Sequence, residues 1–326
     1  MTKQAIIFGG SGFIGRYITK LLSQDGFRVK VATRNIASAN FLKVYGDVGQ
    51  ILPIEVDYTD EQSIAHASNG VDCVLNLTGI LSENLYSPKN SFNEIHHVLV
   101  QRIARVCSQL EVKSLIHFSA IGADFASKSK YARTKWLGEK VAFDTFSRTT
   151  VVRPSVVFGA EDQFFNRFAA ILKFSPIFPI LACNFNAFLK EYFSKKRKIN
   201  FIKFDGSRFQ PVYVADVAKA VSRILADTEK YKQKVIYLGG PTIYTFREIL
   251  RLILAELSVN RYLIPIPVSL SKILGFFLGL LPRPPLTIDQ VKLLENDNVV
   301  GKSVLDFSDL GIKPRSVEVV LSTYLK

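Results

Sequence analysis

Apolar and polar positions alternate in blocks along the first half of the chain, and the blocks have the lengths of buried strands and amphipathic helices. Residues 5–8 (Ala-Ile-Ile-Phe) are a continuous apolar run, and residues 16–22 follow it with helical spacing. Short continuous apolar runs mark strands covered on both faces, as in a parallel sheet. The same pattern predicts strands over 27–32, 51–56, 72–76, 114–119 and 149–158. Between them it predicts a helix opened by Thr59-Asp60-Glu61, with a cap and early acids, and a long helix over 90–110. Strand–helix alternation of this kind predicts an α/β fold: a doubly wound parallel sheet with helices on both faces. The alternation stops after residue 158. An apolar helical stretch covers 164–178, a helix starts within Pro211-Val212-Tyr213-Val214-Ala215-Asp216, a strand and turn cover 235–241, and Thr245 and Glu248 have capping-box spacing. The expected organisation is a sheet domain over 1–158, rejoined by a helix at 211–226. Residues 159–210 and 227–326 make a smaller, mostly helical C-terminal domain for a substrate or partner.

Between the first strand and the first helix lies Phe8-Gly9-Gly10-Ser11-Gly12-Phe13-Ile14-Gly15. Gly9 supplies the turn, Gly12 lets backbone approach a pyrophosphate, and Gly15 lets the helix pack close to the sheet, the Rossmann-type arrangement. Ser11, Phe13 and Ile14 complete the loop at a helix N-terminus, whose unpaired N–H groups and positive dipole end suit phosphates. A plain glycine turn is the alternative; the strand before it and the helix after it favour the dinucleotide.

The second strand runs into Thr33-Arg34-Asn35, and no acid occurs between Arg28 and Tyr45. An acid there selects NAD through the ribose 2′-hydroxyl, whereas an arginine suits the 2′-phosphate. Arg34 therefore favours NADP(H) over NAD(H), with a solvated loop arginine as the alternative. Asp57, just past the third strand, either bonds an adenine amino group or caps local structure. Asn76, Thr78 and Gly79 end the fourth strand, where they would border the cofactor. Ser119 ends the fifth, and twelve residues on come Tyr131 and Lys135, four apart on one helix face. A lysine ammonium near a tyrosine hydroxyl favours the phenolate, so Tyr131 could serve as acid or base. Tyr131, Lys135 and Ser119 are thus the candidate catalytic residues. The adjacent His96 and His97 face different ways on a helix, so no metal site is expected.

Composition changes the picture mainly through charge. The 326 residues are 48% hydrophobic and carry a formal charge of +14, with a pI near 9.6. Such a balance suits nucleic acid, an anionic membrane surface or acidic partners, or belongs to a lysine-rich proteome without electrostatic purpose. Nucleic acid is disfavoured, because the basic residues are scattered except at 195–198 and no groove-reading motif is present. Residues 181–203 place Phe185, Phe188, Leu189, Tyr192 and Phe193 ahead of Lys195-Lys196-Arg197-Lys198. This amphipathic basic insertion suits anionic lipid or a partner, or is a solvated surface helix. Residues 268–281 are strongly apolar but too short to span a bilayer. They read as core by default, otherwise as a partner face or interfacial anchor. Cys73, Cys107 and Cys183 are widely spaced, as for reduced thiols in a reducing compartment. No signal peptide or transmembrane span is expected; the chain reads as a bacterial protein or a processed one, Met1 favouring the former, and as cytoplasmic, either free or peripheral on the inner face of the membrane.

The order of these motifs resembles the extended or atypical short-chain dehydrogenase/reductase superfamily, the NAD-dependent epimerase/dehydratase type. The resemblance covers nearly the whole chain: Gly9 to Gly15, Asn76-Leu77-Thr78-Gly79, Tyr131 with Lys135, Arg153-Pro154-Ser155, and Pro211 to Ala218. A closer resemblance, to the nucleotide-binding accessory subunit of respiratory complex I and its bacterial relatives, rests on four stretches. They are His117-Phe118-Ser119, Ser129 to Lys140, Phe158 to Asn166, and Gln210 to Val214. It implies a tightly held, structural NADPH, partners among respiratory-complex subunits, and Arg153 and Pro154 as further cofactor-binding residues. It also implies that Lys135 holds the nicotinamide ribose. In epimerases and dehydratases of the superfamily a serine run follows the fifth strand; here Ser119-Ala120-Ile121 keeps only Ser119, and the segment to Tyr131 is short. The expected function is an NADP(H)-binding accessory or assembly subunit. The alternative is an NAD(P)-dependent oxidoreductase or epimerase for a sugar nucleotide or a lipid-like carbonyl or alcohol, with Tyr131 as acid/base. Residues 90–110 show no diagnostic dimer seam, and the oligomeric state is left open.

Overall fold

The computed structural model describes residues 2–83, 90–183, 205–281 and 284–325. Residues 184–203, most of the basic insertion, lie outside the described residues.

The buried apolar runs become strands β1 (Gln4–Phe8), β2 (Arg28–Thr33), β3 (Ile51–Glu55), β4 (Cys73–Asn76), β5 (Ser114–Phe118) and β6 (Thr149–Pro154). A seventh strand, Lys234–Leu238, pairs with β6. The order is Lys234–Leu238, β6, β5, β4, β1, β2, β3, and every pairing is parallel. Every residue of β4 and β5 is buried, as a sheet covered on both faces requires. The main helices of this unit are α1 (Phe13–Gln24), α2 (Glu61–Ser68), α3 (Leu99–Gln109) and α4 (Lys130–Thr145), joined by Val214–Ala226. Val214–Ala226 packs on α1, while α3 packs on α2 and α4. The strand order reverses at β1, between β2 and β4, and in open α/β sheets the crevice beyond such a point takes the ligand.

The chain divides into two compact units: residues 1–154, 214–238 and 301–314, and residues 155–213, 239–300 and 315–326. Residues 227–238 and 301–314 therefore go with the sheet, not with the C-terminal part as expected. The reason is pairing: Lys234–Leu238 extends the sheet, and Leu305 bridges to Ile236.

Two local readings change, and one segment is added. The helix expected over 90–110 opens with a π-helical turn, Glu94–Val98, before α3, and His96 turns inward there. The helical stretch expected over 164–178 is the helix Phe165–Phe174 followed by the strand Ile177–Cys183. Ser175, ahead of Pro176, is extended (φ −89°, ψ 125°), since a residue before proline is pushed from the helical region. Ile36–Tyr45, after β2, is a 3₁₀ segment capped by Asn35.

The second unit has its own aromatic core, in which Phe158, Phe165, Phe209 and Phe246 are buried with Ile249, Leu250 and Ile253. Asp162 organises its first helix: Oδ1 accepts from the N–H groups of Phe164 and Phe165, and Oδ2 accepts from Tyr324. The Phe158–Asn166 stretch singled out in the sequence is thus a helix-capping turn. Helix Val268–Gly279 packs through Ser271 and Gly275, the latter with a Cβ position only 3.0 Å from the Thr287 backbone. Its opposite side leaves Leu270, Ile273, Phe276 and Phe277 exposed, followed by exposed Leu280 and Leu281. The default reading of 268–281 as core is corrected: Ser271, Gly275 and the partly buried Leu274 face inward, and most of the large apolar residues do not.

Arg153 on β6 forms a fork with Glu139 on α4, Nε to Oε1 at 2.8 Å and Nη2 to Oε2, and its Nη1 donates to Tyr237 at 3.0 Å. Glu139 is 4% exposed. Removing one partner of a buried pair strands the other's charge. Arg153→Met is expected to cost about 3 kcal/mol in a denaturant melt, and Glu139→Met/Arg153→Met to recover most of it. Equal losses in the single and double variants would mean that the pair is not buried as described.

Candidate functional site

Because the sheet is parallel, Gly9, Arg34, Asn76 and Ser119 all arrive at its C-terminal end. Gly9 has φ +79°, a conformation that favours glycine, and Gly12 N–H donates to Gly9 O at 3.1 Å. A methyl group at Gly15 would lie 2.3 Å from Gly9 O and 2.6 Å from Gly10 Cα. The first turn of α1 therefore touches the glycine turn backbone to backbone. Its N-cap, Gly12, offers no side-chain cap, and no acid occupies the first turn. The N–H groups at this end are left for an external anion, which fits a dinucleotide pyrophosphate. Ser11, Phe13 and Ile14 lie on this turn, with the Phe13 ring edge-on to Tyr17 at 6.1 Å.

Beside it is a cleft of about 140 Å³ lined by Arg34, Asp57, Tyr58, Thr59, Glu94, Ile95 and Leu99. The structure brings Arg34 and Asp57 together here, past the ends of β2 and β3. Arg34 is exposed and its Nη1 donates to Asn90 Oδ1 at 3.3 Å. Asp57 Oδ1 accepts from Thr59 N–H at 2.8 Å and from its hydroxyl at 2.7 Å, so it does cap local structure while lining the cleft. Tyr58 was not singled out in the sequence. Its hydroxyl donates to Ala32 O at 2.9 Å, its ring lies 5.9 Å from that of Phe8, and burial pushes its hydroxyl up. Nothing in its local sequence marks it: a tyrosine in a short polar loop carries no motif. Glu94, which accepts from Arg102, and Ile95 and Leu99 were likewise missed within the long helix.

At the end of β4, Asn76 is fully buried. Its Oδ1 accepts from Thr78 N–H at 3.1 Å and from the Thr78 hydroxyl at 2.6 Å, and its Nδ2 donates to His117 Nδ1 at 3.4 Å. His117 thus carries its proton on Nε2, a buried position without a hydrogen-bond partner. Burial, with Lys135 nearby, holds this ring neutral, pushed down to about 3. Ser119, two residues on along the chain, is buried with its Oγ also unpartnered. Buried polar atoms are rarely left unpaired, so an orphan of this kind at the C-terminal end of the sheet fits a site built for a bound group.

Tyr131 and Lys135 share a face of α4, but the pair differs from the expected one. Lys135 Nζ donates to Phe118 O at 3.0 Å, and burial lowers it to about 8. Gly79 adjoins it: a Cβ there would stand 3.3 Å from Nζ. Tyr131 is held edge-on by Phe92 at 5.7 Å and His96 at 5.2 Å, and burial pushes its hydroxyl up to about 12. In the chain without dinucleotide, burial thus shifts Tyr131 away from the phenolate expected beside a lysine. Arg153 contacts residues of its own unit. Its donors are engaged by Glu139 and Tyr237, so it ties β6 to α4. Pro154 closes β6, its carbonyl accepting from Ile121 N–H at 3.0 Å.

These features define a dinucleotide-binding α/β protein of the doubly wound class. The sequence model of the NAD dependent epimerase/dehydratase family matches residues 5–239, and the chain belongs to that family. It is 30% identical over 326 residues to the NADH-ubiquinone oxidoreductase 40 kDa subunit, mitochondrial, of Neurospora crassa, covering 99% of this chain and 78% of that protein. It is 28% identical to the NADH dehydrogenase [ubiquinone] 1 alpha subcomplex subunit 9, mitochondrial, of Arabidopsis thaliana, covering 96% and 75%. Among solved structures, the Thermus thermophilus UDP-glucose 4-epimerase complex with NAD superposes with a TM-score of 0.66 at 18% identity, covering 99% of this chain and 97% of that one. Among the described residues no helix is long and apolar enough to cross a membrane.

The buried lysine makes a pH prediction. Lys135 binds its proton less tightly in the folded chain, about 8 against 10.5, so the unfolded chain holds more protons between those values. Without dinucleotide, the stability of the natural protein relative to Lys135→Met should rise as pH climbs from about 8 toward 10.5. Paired thermal melts across that window check this; a difference that stays flat would contradict the buried site.

Proposed function

We propose that this protein is a nucleotide-holding accessory or assembly subunit of a respiratory NADH dehydrogenase, with NADP(H) kept as a tightly bound structural group. The observation that carries the reading is the similarity over nearly the whole chain to the Neurospora and Arabidopsis subunits, and the packing of Tyr131 agrees with it. A general acid or base works best with its pKa near the working pH, and this hydroxyl is pushed up to about 12 behind Phe92 and His96. The glycine turn and α1 would hold the pyrophosphate, Arg34 the 2′-phosphate, and Lys135 the nicotinamide ribose. When bound, the nicotinamide group supplies hydride chemistry; here the surrounding residues serve to hold it. The names of the Neurospora and Arabidopsis relatives support a respiratory partner. So does the exposed apolar side of Val268–Gly279, which suits a partner subunit or, with the +14 charge, the anionic inner face of a membrane.

A second reading, an NAD(P)-dependent oxidoreductase or epimerase, is favoured by Ser119, whose buried and unpartnered Oγ lies at the same end of the sheet as Lys135. In it Tyr131 moves the proton, Lys135 supports the charge and Ser119 polarises the substrate oxygen.

Tyr131→Phe separates the two. On the accessory reading the purified variant keeps its dinucleotide and cell respiration is unchanged. A variant that stays folded and loaded yet loses a growth phenotype would sink it.

A further inference from the structure

The His96 ring meets Ile80, Phe92, Tyr131 and Thr134 beside the Lys135 end of the proposed site. It is fully buried in the π-helical turn Glu94–Val98. Its Nε2 accepts from the N–H of Ile80, the residue after Gly79, at 3.1 Å. A ring nitrogen that accepts a backbone N–H cannot carry a proton, so the proton of the neutral imidazole sits on Nδ1. That nitrogen donates to Thr134 Oγ1 at 3.2 Å, on the turn of α4 between Tyr131 and Lys135. Thr134 Oγ1 passes its own hydrogen to a carbonyl of Lys130 or Tyr131, at 2.9 and 3.0 Å. The ring stacks on Phe92 at 5.3 Å and meets Tyr131 edge-on at 5.2 Å. The backbone of His96 is as closely fitted as its side chain, since a methyl group at Gly138 would come within 2.0 Å of His96 O.

Three separate pieces of chain therefore meet on one imidazole: the loop after β4, the π-helical turn, and the Tyr131–Lys135 face of α4. Burial, with the Lys135 charge and His117 adding to it, holds the ring in its neutral form. A protonated ring would set an N–H against the Ile80 N–H, so the neutral tautomer is also the one the bonds require. We propose that His96 is the positioning residue for the nicotinamide half of the dinucleotide, clamping the Gly79–Ile80 loop to the helix that carries Lys135. On the same reading the adenine half would lie against the glycine turn and the cleft with Arg34 and Asp57, which Glu94 and Ile95 of the π-helical turn also line. The proposal rests on the dinucleotide reading and goes beyond it by giving the nicotinamide end a positioning residue of its own.

The test measures two ligands on three proteins. The ligands are the dinucleotide that the natural protein binds more tightly, NADPH or NADH, and its adenine fragment, 2′,5′-ADP or ADP. The proteins are the natural chain, His96→Phe, which keeps a ring but neither bond, and His96→Gln, whose amide oxygen can still accept from Ile80 N–H. Losing both bonds should weaken dinucleotide binding about tenfold or more in His96→Phe, and His96→Gln should fall between. Affinity for the adenine fragment should fall clearly less than dinucleotide affinity in both, since the fragment has no nicotinamide end to position, although Glu94 and Ile95 of the π-helical turn line its cleft. Thermal melts establish that each variant is folded. Unchanged dinucleotide affinity in folded His96→Phe overturns the proposal. So does an equal loss of both ligands in folded His96→Gln, which would make His96 a general scaffold residue. A natural protein that binds neither ligand would remove the dinucleotide reading itself, and the proposal with it.

Discussion

The backbone contact between the first turn of α1 and the glycine turn is the constraint on which the rest depends. With Gly15 under the carbonyl of Gly9 there is no room for a side chain, and the helix axis is brought against the end of β1. The N-terminus of α1 is thereby fixed at the point where the strand order reverses. No capping side chain or first-turn acid competes there. The parallel sheet does the remainder, because it delivers the ends of β2, β4 and β5 to the same side. Arg34, Asn76 and Ser119 need no special loops to arrive there.

Away from that turn the site is governed by burial. Lys135, His96, His117 and Tyr131 are titratable groups crowded between β4, β5, α4 and the π-helical turn. Each is pushed toward its uncharged form, with desolvation the leading cause in every case. Such an environment suits a group that must be gripped and kept from water. It suits less well a tyrosine that must change its protonation state at neutral pH. On the proposed reading the tyrosine–lysine pair serves for holding, in keeping with what packs on the tyrosine ring.

Much of the fold was legible because a strand buried on both faces leaves an uninterrupted apolar run. β1, β2, β3, β5 and β6 lie where those runs are. The glycine turn was legible because its steric demands fall on residues close in sequence. What sequence could not supply was partnership at a distance. Arg153 looked like a cofactor residue by its motif, yet its partner is Glu139 on a neighbouring helix. Tyr58 and His96 carry no motif, and their roles appear only when β4, α4 and the cleft come together. The run at 268–281 marked an apolar helix but not which side of it was covered; Ser271 and Gly275, with Leu274 beside them, turned out to be the covered side. The strand at Ile177–Cys183 was hidden behind a helical apolar spacing that Pro176 interrupts.

The central claim is that the glycine turn and its neighbours keep a dinucleotide in place as part of the folded protein. The direct measurement is to purify the natural protein under native conditions, pass it through gel filtration, denature it, and quantify the released nucleotides. The account predicts NADP(H) in stoichiometric amount with the chain, and its replacement by NAD(H) or its loss in Arg34→Ala. Protein that is folded and pure but releases no dinucleotide would contradict it.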